Sequence, residues 1–353
     1  MTSFRTSLHG TKSRTNSKQP VSRPGRTPDL GPLVVIQEQG LKADVHLTEQ
    51  QCAELLRSLT ARDIAILTAL TQYRYLDRPQ VQTLFFPSPR MAQLRLMELW
   101  DQGLIHRWRV IQPPGWRRGH SVLLLAVRGA RLLAACREED PGPLVSRSQH
   151  ARVHRFHLRH DLEANGFFVA LTAASRPRPD EGLYHWVGEE ACRRTSRTWG
   201  RRPLTPDGWG RYLTPIGEVI FLLEWDRGTA SPSRIEAKAT GYLRYFLDRR
   251  EAELNHVLLV TPGPAREEAV RGAITRVLRP VGRRLRCCFW TTNRTLLQQA
   301  GPLGVIWARV GEESIDRVRL AVLPSIPRSA RRVADCIGKP DWWERRPGGG
   351  EGA

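Results

Sequence analysis

The sequence predicts an α+β protein in two parts: three helices closed by a β-hairpin, then a mixed α/β sheet covered by helices. Three observations carry this expectation. Apolar residues recur at helical spacing in three successive segments between residues 61 and 103. After Gly103 the period becomes that of strands, interrupted by Pro113-Pro114-Gly115. From Leu183 onward, short apolar runs alternate with helix-like segments, the pattern of a sheet packed against helices.

In the first part, Ile64, Ala65 and Leu67 mark a helix over 61–70, and Val81, Leu84 and Phe85 share a face of a second over 78–85. Ser88-Pro89 is an N-cap followed by an N1 proline, opening a third helix whose stripe is Ala92, Leu96, Leu99 and Gly103. Residues 104–111 and 121–127 read as the two strands of a hairpin. This is the order of a winged helix-turn-helix, whose third helix enters the major groove while the hairpin touches the backbone. Arg90 and Gln93 then face outward and Arg95 lies on the flank; Arg107 and Arg109 share a face of the first wing strand, and Arg117 and Arg118 sit beside its turn. Such groups suit phosphate and base contacts. The same fold also serves as a protein-docking or dimerisation module, and the helices alone leave that reading open.

Composition favours a polyanion. The 353 residues include 55 Lys and Arg against 35 Asp and Glu, a net charge of +20, and the commonest partner of such a surplus is nucleic acid. General arginine enrichment of the chain is the competing explanation. With 40% hydrophobic residues there is material for real cores. No apolar run approaches the ~18 residues of a membrane span and no signal-peptide core opens the chain, so a soluble, cytoplasmic protein is expected. Six cysteines without a Cys-x-x-Cys pair argue for reduced thiols and against a zinc ribbon or disulfide framework. No Walker-type glycine loop or serine triad is evident, which argues against ATP-driven and serine chemistry. Residues 1–46 are expected to be a disordered basic arm, 47–136 the winged-helix domain, 137–150 an acidic, Pro/Gly-containing linker, 151–312 the α/β domain and 313–353 a basic, Gly/Pro-rich tail.

In the second part, 153–174 reads as one helix, 183–187 as a strand, and 211–214 with 218–225 as a hairpin turning at 215–217. Helices follow at 233–250 and 265–278, with strands at 255–261, 285–290 and 303–310. Residues 219–223 are apolar on both faces, as in a central strand. Glu224 and Asp226, two apart at its end, project to one face, and Asp207 precedes the partner strand. Three oxygen donors converging there suit Mg²⁺ or Mn²⁺. Lys238 lies on the apolar stripe Ile235, Ala239, Tyr242 and Phe246 of the next helix. The plainer alternative is that Glu224 and Asp226 pair with Arg227 or Lys238 and that Lys238 snorkels. His154, His157 and His160 do not make a zinc set, since the first and third stand about 120° apart on a helix; His160 reads as a structural or supporting residue near the core.

A basic winged helix, then His160-Asp161-Leu162, Pro206-Asp207-Gly208 and the segment from Leu223 to Thr229 with Lys238 and Tyr242 downstream together resemble the replication-relaxation family of bacterial plasmids and mobile elements. The resemblance covers roughly residues 57–310. It implies a winged helix joined to a restriction-endonuclease-like core of the PD-(D/E)xK class, with double-stranded DNA and replication or conjugation proteins as partners. Carried over, Asp207 and Glu224 hold Mg²⁺ or Mn²⁺, with Asp226 beside them, and Asp207, Glu224 and Lys238 are catalytic, supported by His160 and Tyr242. The usual motif has lysine two residues after the acidic ligand, where this chain has Asp226; in similar enzymes that lysine migrates to the next helix, which points to Lys238. The expected function is DNA binding in plasmid replication or relaxation with Mg²⁺-dependent nicking. The alternatives are a non-enzymatic initiator-like factor or a transcription repressor with a degenerate nuclease fold.

Overall fold

A computed structural model describes residues 34–38, 48–111, 121–153, 157–196, 204–248, 255–280, 289–312 and 315–327. Most of the expected basic arm, the wing turn with Arg117 and Arg118, the end of the tail, and His154, Cys287, Cys288 and Cys336 lie outside these residues.

The chain enters on β1 (Val34–Glu38), then α1 (Glu49–Ser58), α2 (Ala61–Tyr73), β2 (Leu76–Asp77), α3 (Arg78–Phe85), α4 (Pro89–Asp101), β3 (Ile105–Ile111), β4 (Ser121–Leu125) and α5 (Val127–Cys136). Each early helix begins where its sequence provides a cap. Thr60 and Asp63 close a capping box on α2, Asp77 and Gln80 do the same on α3, and the Ser88 hydroxyl accepts from the Met91 amide at the start of α4. Ile66, Leu70, Val81, Leu84, Leu96 and Leu99 are buried where these helices meet. The strands form an antiparallel sheet in the order β1-β3-β4-β2. The strand at 34–38 corrects part of the expected disordered arm: its Val-Val-Ile run pairs with the open edge of β3.

The chain continues through α6 (Gly142–Val153), α7 (Leu158–Ser175), β5 (Gly182–Gly188), α8 (Glu189–Ser196), β6 (Gly208–Leu213), β7 (Gly217–Trp225), α9 (Pro232–Asp248), β8 (Asn255–Thr261), α10 (Pro264–Leu278), β9 (Phe289–Asn293), α11 (Arg294–Ala300), β10 (Trp307–Arg309), β11 (Arg317–Val318) and β12 (Ile326–Pro327). An eight-stranded sheet runs β11-β10-β9-β8-β7-β6-β5, with β12 paired to the start of β7. Strands β7, β8 and β9 are parallel, joined by α9 and α10; β5, β6 and β7 form an antiparallel meander. Val219, Phe221 and Leu223 pack in the same core as Phe167, Phe168 and Leu171 of α7, while Leu222 packs with Ala239, Tyr242 and Leu243 of α9 and Ile274 of α10. Strand β7 is thus buried on both faces, as its unbroken apolar run predicts.

Two expected boundaries differ. Residues 142–150, read as linker, belong to α6, because Leu144, Ser148 and Ala151 are buried and the Ser148 hydroxyl donates to the Leu125 carbonyl. The helix expected over 153–174 begins instead at Leu158, with His157 in its N-cap position. Helix α7 then joins the two sheets. Asn165 donates to the carbonyls of Tyr73 and Tyr75, Gln80 donates to the Leu162 carbonyl, and the rings of Tyr73, Trp186 and Phe168 stack in series. The core is continuous from Ile66 to Leu323.

Candidate functional site

Three neighbouring strands end at one edge of the large sheet. Gly188 at the end of β5 pairs with Gly208 at the start of β6, and Gly208 pairs with Leu223 near the end of β7. The residues just beyond or beside this row are Glu189, Asp207 and Glu224. Gly208 is required there: a Cβ would lie 2.4 Å from the Phe168 ring, so a larger residue would push β6 off α7. Asp207 is anchored through its own amide, which donates to the Leu223 carbonyl, and through its Oδ2, which accepts from the Trp225 amide at 2.7 Å. Its Oδ1 lies 3.0 Å from Nε2 of His160, in the first turn of α7.

Glu224 has the parity of Leu222 and therefore faces α9. One carboxylate oxygen accepts from the Lys238 ammonium and the other from the Tyr242 hydroxyl. Glu224 and Tyr242 are buried; Lys238 keeps 40% of its side-chain surface. Asp207, Glu224, Lys238, Tyr242, His160 and Glu189 line one cavity of about 510 Å³, together with Arg227 and Arg234. Asp226 lines it as well, but its carboxylate is held by Arg266 of α10 at 2.6 Å and by the Gly228 amide at 2.9 Å. Of the three expected oxygen donors, Asp207 and Glu224 are brought together, and Asp226 is diverted into an ion pair.

Burial and mutual charge set the protonation of the group. Burial pushes Glu224 up to about 7, more than Lys238 and Tyr242 lower it, with Asp207 adding repulsion. Burial also opposes ionisation of Asp207, but the Lys238 charge, His160 and the Trp225 amide outweigh it and hold this carboxyl below its ordinary value. Burial disfavours a charged His160, yet the bond to Asp207 and the surrounding carboxylates raise it to about 9. Behind it Asp161, paired with Arg74 at 3.4 Å, is raised to about 7 by burial and by Glu189. This edge of the sheet is a largely buried carboxylate cluster compensated by the His160 imidazole on Asp207, the Lys238 ammonium on Glu224, and the guanidiniums of Arg193 on Glu189 and Arg74 on Asp161.

Glu189 is the member that sequence reasoning missed, because α8 was not foreseen. Its signal is Gly188-Glu189-Glu190 directly after a strand, an acidic pair at a strand end. Among the described residues, the group of three or more donors whose ligand atoms all lie within 4.8 Å of one another is His160, Glu189 and Asp207.

The expected DNA-facing residues separate into two kinds. Arg90 and Gln93 of α4 and Arg109 of β3 are exposed. Arg95 is turned inward, 2.6 Å from Asp63, itself buried in the α2 capping box, and also pairs with Glu98. Arg107 is half-buried, donates to the Ser121 hydroxyl at 2.9 Å, and has its pKa lowered by burial and by the charges of Arg109 and Arg78. Arg78, Arg107 and Arg109 thus make a basic cluster to which the sequence reading had not joined Arg78. The outer face of α4 also exposes Met91 (46%), Leu94 (55%) and Met97 (40%).

No helix among the described residues is long and apolar enough to cross a membrane. No curated protein and no solved structure matches the chain. The sequence pattern of the replication-relaxation family matches residues 67–258, more than half of the chain and a span that takes in α7, Asp207, Glu224, Lys238 and Tyr242; the chain belongs to this family.

Proposed function

We propose that the chain is a DNA-binding protein of plasmid or mobile-element replication or relaxation, and that its cavity cleaves a phosphodiester bond with the help of Mg²⁺ or Mn²⁺. The observation that carries this reading is the convergence of Asp207 and Glu224, from adjacent strands, with Lys238 in one cavity. Two buried carboxylates at a strand end repel each other, and a cation relieves that repulsion. Asp207 fits such a role; Asp226 does not, being neutralised by Arg266. A divalent ion bound there supplies charge to a phosphate and acidifies a water molecule. The chain's own groups do the rest. The Lys238 ammonium faces a phosphate oxygen, His160 orients Asp207, and Arg227 and Arg234 neutralise phosphates flanking the reacting one.

The N-terminal elements are read as a winged helix. Helices α2, α3 and α4 followed by the β3-β4 hairpin have its order, and α4 presents Arg90 and Gln93 outward. Met91, Leu94 and Met97 beside them suit apolar contact with thymine methyl groups in the major groove. Double-stranded DNA is the proposed partner, with replication or conjugation proteins acting on the same plasmid.

A second reading, a replication factor or repressor whose nuclease-like core is inert, has one observation in its favour. Both oxygens of Glu224 and both of Asp207 already accept hydrogen bonds from the protein. Incubating supercoiled plasmid with the full chain in Mg²⁺, Mn²⁺ or chelator separates the two. Metal-dependent nicking that Asp207→Asn abolishes supports the enzyme; retained, salt-sensitive DNA binding without nicking supports the inert core.

A further inference from the structure

The carboxylates at the sheet edge are not equivalent toward a cation. Glu224 is engaged on one oxygen by an ammonium and on the other by a buried phenol, both from α9. Asp226 is engaged on both oxygens by the Arg266 guanidinium, whereas Glu189 gives one oxygen, Oε1, to Arg193 of its own helix. On the other side of Asp207, the ligand atoms of His160, Glu189 and Asp207 all lie within 4.8 Å of one another. The pair whose separation is known, His160 Nε2 to Asp207 Oδ1, is 3.0 Å apart. For bonds of about 2.1 Å, neighbouring donors of an octahedral ion stand about 3 Å apart and opposite ones about 4.2 Å. Three atoms at most 4.8 Å apart can close on a single ion, and His160 Nε2 then releases to solvent the proton it shares with Asp207 Oδ1, because a ligating imidazole is neutral.

The surroundings point to a ligand as well. Asp161, adjacent to His160 in α7 and buried, pairs one oxygen with Arg74 and leaves Oδ1 without a hydrogen-bond partner, while the Glu189 charge acts on it. The three donors come from three differently supported places: the first turn of α7, the first residue of α8, and the residue anchored between β6 and β7.

We propose that His160, Glu189 and Asp207 form a site for one divalent transition ion, preferring Mn²⁺ to Mg²⁺, and that Glu224 stays with Lys238 and Tyr242. The preference follows from the donor set. An imidazole nitrogen suits transition ions, whereas Mg²⁺ takes oxygen donors and gives up its water reluctantly. This deepens the proposed active site and relies on that reading only for the ion's role in cleavage; binding of the ion stands apart from it. Arg227 and Arg234 line the same cavity and remain available to a phosphate of the nucleic acid.

The test uses the full chain and Mn²⁺ itself, read by electron paramagnetic resonance. Loss of the free-ion signal gives stoichiometry and affinity, and spin-echo modulation from ¹⁴N reports an imidazole ligand. The expected result is one Mn²⁺ per chain with nitrogen modulation, displaced by Mg²⁺ only in large excess. His160→Gln should remove the modulation, and His160→Gln or Glu189→Gln should each weaken Mn²⁺ binding by more than about tenfold, the loss that even changes outside the ligand set cause. Glu224→Gln should leave both properties within a few-fold of wild type. Circular dichroism and melting in chelator establish that each variant is folded, and the two substitutions at separate ligands guard against loss of either one to misfolding. Mn²⁺ binding that survives Glu189→Gln but is lost in Glu224→Gln, or that shows no nitrogen modulation, overturns the proposed ligand set while leaving a metal-dependent nuclease intact. Nitrogen-modulated Mn²⁺ binding without plasmid nicking upholds the site and removes the nuclease reading.

Discussion

Both sheet regions of this protein bury charge, but they use it differently. In the N-terminal region the buried carboxylate is Asp63, which accepts from the Thr60 amide and hydroxyl and from Arg95. Every donor comes from a neighbouring turn or a packed helix, and the carboxylate is enclosed by them. In the large sheet, Glu189, Asp207 and Glu224 crowd at three adjacent strand ends and open into a shared space of about 510 Å³. The first arrangement ties α4 to α2. The second concentrates like charge where a cation and a phosphate can enter. The contrast teaches that a buried acid becomes a functional candidate through its surroundings: one enclosed by donors reads as structural, and one crowded by other acids beside a cavity reads as a candidate for chemistry.

The largest expected effect breaks the comparison outright. Asp207→Asn should bring metal-dependent nicking down to the background of the plasmid substrate, with DNA affinity within about twofold of wild type, since the proposed DNA contacts are to phosphates elsewhere on the protein. Nicking assays and electrophoretic mobility shifts measured on the same preparations decide it. If nicking persists, the crowded carboxylates have a structural role like that of Asp63.

Asp63→Ala should cost stability and leave chemistry alone. Removing the buried partner leaves the half-buried Arg95 to the exposed Glu98 and the α2 cap open, a loss of about 3 kcal/mol by denaturant melts. Burial opposes ionisation of Asp63, but Arg95 and Thr60 outweigh it and hold the carboxyl below its ordinary 3.8. Its contribution is therefore complete above that value and lost as the pH falls below it. Arg95→Ala should reproduce part of the destabilisation without changing sequence preference on DNA.

Glu224 makes the opposite pH forecast. Its folded pKa, about 7, lies above the ordinary 4.5. The protonated form is thus the one that folding favours; the associated stability is full below about pH 4.5 and is lost as the pH rises through 7. Lys238→Met removes the cation that offsets this burial. In chelator, it should melt close to wild type at pH 5 and clearly lower at pH 8. Equal melts at both values would mean that Glu224 is as well compensated as Asp63, and the distinction between the two regions would shrink.

The smallest effects sharpen the surface half of the comparison. Arg90→Ala or Gln93→Ala should redistribute preference among DNA sequences by about 1–3 kcal/mol. Arg109→Ala should weaken all sequences alike and lower the salt slope by about one. Replacing thymine by deoxyuridine in a preferred site should weaken wild type, and Leu94→Ala should erase that difference. Competition binding at two salt concentrations resolves these outcomes. If none of the substitutions alters DNA binding, the exposed stripe Met91, Leu94 and Met97 belongs to a protein interface.

Much of this was legible in the chain. Periodicity and caps located α2, α3 and α4, because Thr60, Asp77 and Ser88 act on amides three residues away and local chemistry suffices. The unbroken apolar run of β7 announced a strand covered on both sides, and the stripe Ile235, Ala239, Tyr242 marked the face of α9, with Lys238 on it, that packs on the sheet. The proline- and glycine-containing stretch at 137–150 misled, since composition marks where a chain can bend and not whether buried Leu144 and Ser148 will hold it in a helix.

Tertiary structure alone decided which charges are available. Arg90 and Arg95 stand five residues apart on one helix, and the position of Asp63, brought in by α2, leaves one exposed and draws the other, half-buried, into an ion pair. Glu224 and Asp226 look alike in sequence, yet α9 supplies Lys238 to the first and α10 supplies Arg266 to the second. Glu189 entered the site because β5 runs antiparallel beside β6, which brings residue 189 to residue 207. Sequence by itself determines what depends on the neighbours along the chain: helix period, caps, strand burial and the inventory of ionisable groups. Whether such a group ends as a structural pair or in the cavity depends on an interaction that decays within a few ångströms, with a partner dozens of residues away, and only the fold sets that distance.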